Sequence, residues 1–301
     1  MNIDEVLRSV VAVRANIPDD AFTASTLGML REGSGVVIRE SGLVLTIGYL
    51  ITEAEEVWLT TKDERVVAAH PLAYDQVTGF GLVQALGPLE LPALPFGDSD
   101  KAGIGDPVML GDGTGRSVEA AIVGKQEFAG YWEYLLEEAI FTAPAHPSWG
   151  GAALVDANGA LLGVGSLRLQ MMKAGSVADI NMIVPINLLP PILDDLVTQG
   201  QANRPPRPWL GVFSAESDGE VVVMSVAAGS PAARAGLKRG DVISDVRDKE
   251  VDSLADFYRK LWDTGPAGAE VPLRVVRDGR EAWFRIKTAD RNSFLKKPML
   301  Q

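Results

Sequence analysis

Pro144-Ala-His-Pro-Ser-Trp-Gly-Gly-Ala-Ala-Leu-Val155 is the stretch whose reading decides the fold. Two adjacent glycines, Gly150 and Gly151, lead into a short apolar run. Asp156-Ala-Asn158-Gly159-Ala160 follows, and Asn-Gly between apolar runs is the strongest short-range hairpin signal. Leu161-Leu-Gly-Val-Gly165 is then the returning strand. Working outward, the same grammar repeats in Val10-Val-Ala-Val13, Gly35-Val-Val-Ile38, Leu43-Val-Leu-Thr46, Val57-Trp-Leu-Thr60, Val66-Val-Ala-Ala69 and Ala120-Ala-Ile-Val123. Short β-branched runs separated by turn residues, among them Glu40-Ser-Gly42, predict a β-barrel or sandwich. A helix is expected over 187–198, with Asn187 as its cap and Gly200 as its stop.

In this order the first two hundred residues resemble the protease domain of the HtrA/Deg family of trypsin-like serine hydrolases. The resemblance rests on Gly33-Ser-Gly-Val-Val-Ile-Arg-Glu-Ser-Gly-Leu-Val-Leu-Thr46, Leu94-Pro-Phe-Gly-Asp-Ser-Asp100, Gly105-Asp-Pro-Val108 and Val184-Pro-Ile-Asn187. The stretch 144–155 stands where the family reads Gly-Asn-Ser-Gly-Gly-(Pro or Ala)-Leu-Val. The resemblance implies a mainly β chain with two six-stranded barrels and a catalytic cleft between them.

Carried over residue by residue, the catalytic triad departs from the family pattern at each position. Tyr49, in Leu45-Thr-Ile-Gly-Tyr-Leu-Ile51, takes the histidine position, and a phenol with a pKa of about 10 does not act as a base at neutral pH. Gly79, in Asp75-Gln-Val-Thr-Gly-Phe-Gly81, takes the aspartate position. Trp149 takes the place of the nucleophilic serine, and an indole offers an N–H but no attacking oxygen. One oxyanion-hole donor would come from residue 147, which is Pro147 and has no N–H. A rival register makes Ser148 a displaced nucleophile. His146 and His70 are read as loop or packing histidines, and Gly111-Asp-Gly-Thr-Gly-Arg-Ser117 as a turn, since it lacks the Lys-Ser/Thr end of a phosphate loop. Phe128-Ala-Gly-Tyr-Trp-Glu-Tyr-Leu-Leu-Glu-Glu138 is either a docking surface or one barrel's edge.

Composition narrows the chemistry. The chain has 301 residues, 47% hydrophobic and 23% charged, which is ordinary for a globular protein. With no cysteine and two histidines, no metal site and no cofactor are expected. A net charge of −12 argues against a nucleic-acid partner. No run of 18 apolar residues predicts a membrane span. Met1-Asn-Ile-Asp-Glu carries early acids rather than a secretory signal. With Met1 as the start a cytoplasmic protein is expected; a truncated periplasmic protein would read the same.

Gln201-Ala-Asn-Arg-Pro-Pro-Arg-Pro208 is a stiff, Pro-rich spacer. The expected domains are 1–200, trypsin-like; 201–208, linker; and 209–301. In the last, Ser230 caps a short helix opening at Pro231 and ending at Gly236. Ser253-Leu-Ala-Asp256 has the form of a capping box, and Asp278-Gly279 turns a hairpin between 271–277 and 281–287. With Gly229-Ser-Pro-Ala-Ala-Arg-Ala-Gly-Leu-Lys-Arg-Gly-Asp-Val-Ile243, this part resembles an HtrA-type PDZ domain, a smaller α+β unit. By that resemblance, the backbone of Trp209, Leu210, Gly211 and Val212 would hold a peptide's terminal carboxylate. The stripe Leu254, Phe257, Tyr258 and Leu261, at i, i+3, i+4, i+7 spacing, either lines the ligand pocket or packs the core.

The expectation from sequence is therefore a degenerate, non-enzymatic HtrA-like protein. It binds peptides or protein C-termini through its PDZ domain, as scaffold or regulator, alone or in homo- or hetero-oligomers with active relatives. The alternative is a serine endopeptidase built on Ser148.

Overall fold

The computed structural model describes residues 3–173 and 175–297. The first two residues of the N-terminal run and 298–301, the end of the expected second domain, lie outside the described residues. Twelve strands come first: β1 (Val10–Asn16), β2 (Leu30–Arg39), β3 (Leu43–Ile47), β4 (Glu56–Thr60), β5 (Val66–Tyr74), β6 (Phe80–Ala85), β7 (Pro107–Gly111), β8 (Ser117–Gly130), β9 (Tyr134–Ala143), β10 (Ala153–Val155), β11 (Leu161–Lys173) and β12 (Ser176–Pro185). They close into two barrels, ordered β1-β2-β3-β6-β5-β4 and β10-β11-β12-β9-β8-β7. Closure leaves no free sheet edge, and inward side chains fill the interior. Val11, Val37, Val44 and Leu82 are buried in the first barrel; Leu110, Ile122, Leu154 and Ile183 are buried in the second.

The Asn158-Gly159 hairpin forms as read: the Asp156 carboxylate accepts the N–H groups of Asn158 (2.8 Å) and Ala160 (2.9 Å). The helix after β12 starts later than expected, at Pro190–Gln199. Asn187 does not cap it. Its amide donates to Asp98 (2.9 Å) and accepts the Ser99 N–H (3.2 Å), while Pro190 and Pro191 supply the helix's first turn.

Six more strands follow: β13 (Val212–Ser217), β14 (Glu220–Val226), β15 (Val242–Val246), β16 (Lys249–Glu250), β17 (Glu270–Arg277) and β18 (Arg280–Lys287). The sheet runs β13-β14-β15-β17-β18, with β16 paired to β15, so β13 is an edge. Helix Pro231–Ala235 is capped by Ser230 Oγ, which accepts the Ala233 N–H; helix Leu254–Trp262 is capped by Ser253, which accepts the Asp256 N–H. Asp256 itself reaches back to the Asp252 N–H (3.0 Å) rather than closing a full capping box.

The chain forms two compact units that cut across the domain limits expected from sequence. One comprises Met1–Gln126, Glu138–Asn203 and Leu295–Gln301; the other comprises Arg204–Phe294 together with Glu127–Glu137, the facing ends of β8 and β9 and the turn that joins them.

Candidate functional sites

In the barrel unit, three loops bring the expected triad positions into one neighbourhood. Tyr49 sits on the one-turn helix Gly48–Leu50 after β3. Gly79 lies in the turn between β5 and β6, and its carbonyl accepts the Gly48 N–H at 2.7 Å. Gly79 has φ 84°, a conformation in which a Cβ is strained. The nearby carboxylate is already engaged: Asp75 is buried and accepts the Thr78 N–H (2.9 Å) and hydroxyl (2.7 Å), closing the same turn.

The paired glycines are demanded by packing. The Gly150 carbonyl accepts the Ser34 N–H from β2 at 2.8 Å. Gly151 has φ 78°, and a Cβ there would lie 1.8 Å from the Ser34 carbonyl oxygen. The Tyr49 hydroxyl donates to the Ser166 carbonyl (2.8 Å) and is hydrogen-bonded to the Trp149 side chain. Since indole is a donor only, Trp149 donates and Tyr49 accepts. Burial pushes the Tyr49 phenol upward, away from any acid–base role at neutral pH.

One residue upstream, Ser148 belongs to a different cluster. Its Oγ accepts from Arg116 Nη2 at 2.9 Å, and its N–H donates to His146 Nδ1 at 3.0 Å. His146 lies in the loop, as expected from sequence, but not at an open mouth. It is fully buried, with its backbone paired to Asn181. Because Nδ1 accepts, the ring proton belongs on Nε2, which faces Asp112 Oδ2 at 3.9 Å, beyond hydrogen-bond reach. Burial works against the Asp112 carboxylate, but bonds from Thr114 and Arg116, with His146 nearby, hold it below its usual range. Aspartate, histidine and serine are thus adjacent, but the serine oxygen is bonded to arginine and the histidine to the serine's backbone. Sequence reading missed Asp112: its string looks like a turn, and it is one.

In the second unit the loop before β13 holds a carboxylate. Glu133 Oε2 accepts the Leu210 N–H (3.0 Å), and Oε1 accepts those of Gly211 (2.6 Å) and Val212 (3.0 Å). Trp209 does not join them, because its N–H donates to the Ala289 carbonyl (3.0 Å). Leu254, Phe257 and Leu261 are buried in the core with Leu210, Val212 and Leu135. Tyr258, also buried, uses its hydroxyl: it donates to the Gly130 carbonyl (2.8 Å) and accepts the Glu133 N–H (3.2 Å).

Fold and sites together define a class, a trypsin-like peptidase domain followed by a PDZ domain. The sequence profile of the trypsin-like peptidase domain matches residues 33–164, and that of the PDZ domain matches 208–288. In this domain order the chain resembles proteins of the HtrA/Deg type. It is 30% identical over 277 residues to a probable periplasmic serine protease, do/HhoA-like, of Haemophilus influenzae, covering 85% of this chain and 57% of that protein. It is 29% identical over 265 residues to the periplasmic pH-dependent serine endoprotease DegQ of Escherichia coli, covering 82% and 57%. The chain therefore spans a little over half the length of these relatives. Among solved structures it resembles the HtrA-type protease AlgW with decapeptide, at TM-score 0.55 and 23% identity over 99% of this chain and 98% of that one. It also resembles the serine endoprotease from Yersinia pestis, at TM-score 0.54 and 22% identity over 96% and 98%.

Two expectations are corrected by these relatives. The reading of the chain as a non-enzyme rested on four departures, at Tyr49, Gly79, Trp149 and Pro147, and it is overturned by relatives named serine proteases and endoproteases. The expected cytoplasmic location is overturned by the same relatives, which are named periplasmic. Among the described residues no helix is long and apolar enough to cross a membrane.

Proposed function

We propose that this chain captures peptides or protein C-termini on the backbone loop 210–212 of its PDZ domain and works in the periplasm as an HtrA-type protein. The observation that carries this reading is the loop's chemistry. Three consecutive N–H groups converge on one carboxylate at the open end of an edge strand, the geometry that recognises a chain terminus.

A second reading, serine endopeptidase activity, comes from the names of the relatives, and in this chain it falls to Ser148. Ser148 is the only hydroxyl in the 144–151 loop, and His146 and Asp112 lie beside it. For Ser148 to attack, its Oγ must leave Arg116 and the His146 ring must exchange a backbone partner for that oxygen. Resting active sites often tighten only with substrate bound, so the reading is tested by reaction rather than by resting distances. A fluorophosphonate probe and unfolded casein are the reagents. Labelling and cleavage that vanish in Ser148→Ala are the expected result. Absence of both in the intact chain would reject hydrolysis at Ser148 and leave peptide capture to stand alone.

A further inference from the structure

Within the second unit, the segment joining β8 to β9 lies against the loop before β13 as a ligand would. Glu133 fills the carboxylate loop with both oxygens. Two residues earlier, the Tyr131 carbonyl accepts the N–H of Ser214 on the edge strand β13 at 2.9 Å. Tyr258, on the helix flanking that edge, holds the segment at both Gly130 and Glu133. Leu135 enters the core beside Leu210 and Phe257. At the two ends of the segment, Glu127 and Glu137 both pair with Arg259 of the same helix. Around these anchors Tyr131 packs on Phe213, and Trp132 stacks on Tyr134.

A turn that only needed to close would leave its carboxylate in water. Burying one costs several kcal/mol unless donors replace the solvent. Here the donors are the N–H groups that the PDZ reading assigns to an incoming terminus.

From this we infer that residues 127–137 are a built-in competitor for the PDZ groove: Glu133 occupies the carboxylate loop until the segment withdraws and an external peptide carboxylate takes its place. The inference rests on the peptide-capture reading proposed above. It also identifies the ligand class by imitation, as a carboxylate preceded by aromatic side chains. A site open for only a fraction of the time binds with its affinity reduced by that fraction, so a segment docked about 90% of the time weakens binding about tenfold.

The test uses the full chain and a fluorescein-labelled peptide copying residues 128–133, with its carboxyl terminus free. Glu133→Lys places a cation against three N–H donors and expels the segment. Tyr258→Phe loosens the segment without touching Glu133 and guards against misfolding of the first variant. Fluorescence anisotropy is expected to show binding about tenfold tighter in Glu133→Lys, with a smaller gain in Tyr258→Phe. Hydrogen exchange at the amides of 210–212 is expected to be slow in the parent chain and fast in the variants. Equal affinity in parent and variants overturns the competitor while peptide capture stands. Unchanged exchange at 210–212 overturns it as well. If the amides open in the variants and neither this peptide nor a library of free C-termini binds, the peptide-capture reading itself fails, and the inference falls with it.

Discussion

The cluster around Tyr49 and Trp149 and the carboxylate loop at Leu210 are both filled from within the chain, but by different means. In the barrel unit the filling groups are side chains on short, tightly tied turns. Tyr49 hangs from a one-turn helix bonded to Gly79, and Trp149 precedes a glycine pair that has no room for a Cβ. In the second unit the filling group stands at the tip of a long two-stranded arm, held by a few hydrogen bonds, the buried Tyr134, Leu135 and Leu136, and exposed ion pairs. The first arrangement changes only when the surrounding barrel does. The second can be exchanged for an equivalent ligand, because its contacts are those any chain terminus can make. Occupancy alone therefore says little about whether a site works; what holds the occupant decides.

The sharpest way to break this comparison is at Gly151. Gly151→Ala combines a left-handed backbone with overlap on the Ser34 carbonyl, and about 3–5 kcal/mol of lost stability is expected. Thermal denaturation should show the barrel unit melting early; an unchanged melting temperature would mean that the glycine pair is not structurally required. A gentler probe is Tyr49→Phe. It orphans the Ser166 carbonyl and the Trp149 indole N–H, at a cost of about 1–3 kcal/mol. No gain in fluorophosphonate labelling is expected, because no base is created. New labelling in that variant would show that the phenol was obstructing a competent site.

These sites were unequally legible in the sequence. Strand runs, the Asn-Gly hairpin and the Ser230 and Ser253 caps are local signals, and each appears where its residues stand. Asn187 misled because Pro190 and Pro191 provide a helix start without a polar cap, leaving its amide for Asp98 and Ser99. Trp209 was grouped with the carboxylate loop by position, yet a bridge to Ala289 in the distant C-terminal part takes its N–H. Asp112 was overlooked beside His146 for the same reason: 34 residues separate two side chains that only barrel closure brings to 3.9 Å. The 127–137 segment showed its composition, aromatic and acidic, but two readings of it stayed open. Composition does not say which backbone a glutamate will meet.

The smallest expected effect, and the finest test of the comparison, is in pH. Burial pushes the Glu133 carboxyl up from 4.5 to about 7, against the three N–H donors and the Arg291 charge, which favour its ionised form. The other group facing it is the Tyr258 hydroxyl, which accepts its N–H; Arg259, on the same helix, pairs instead with Glu127 and Glu137. Between pH 4.5 and 7 the docked segment keeps a proton that the withdrawn one has released. Docking is therefore most favourable below pH 4.5, weakens as pH rises toward 7, and levels off above it. The free terminus of the probe peptide, with an ordinary pKa of about 3.5, stays ionised from pH 5 upward. Probe affinity of the parent chain should accordingly climb from pH 5 to 7.5. Glu133→Gln imitates the protonated side chain and should hold the segment docked, giving a flatter curve that meets the parent's at the acid end. A parent curve parallel to that of Glu133→Gln would show that the titrating group lies elsewhere, and that the carboxylate in the loop is as fixed as the ring beside Gly150.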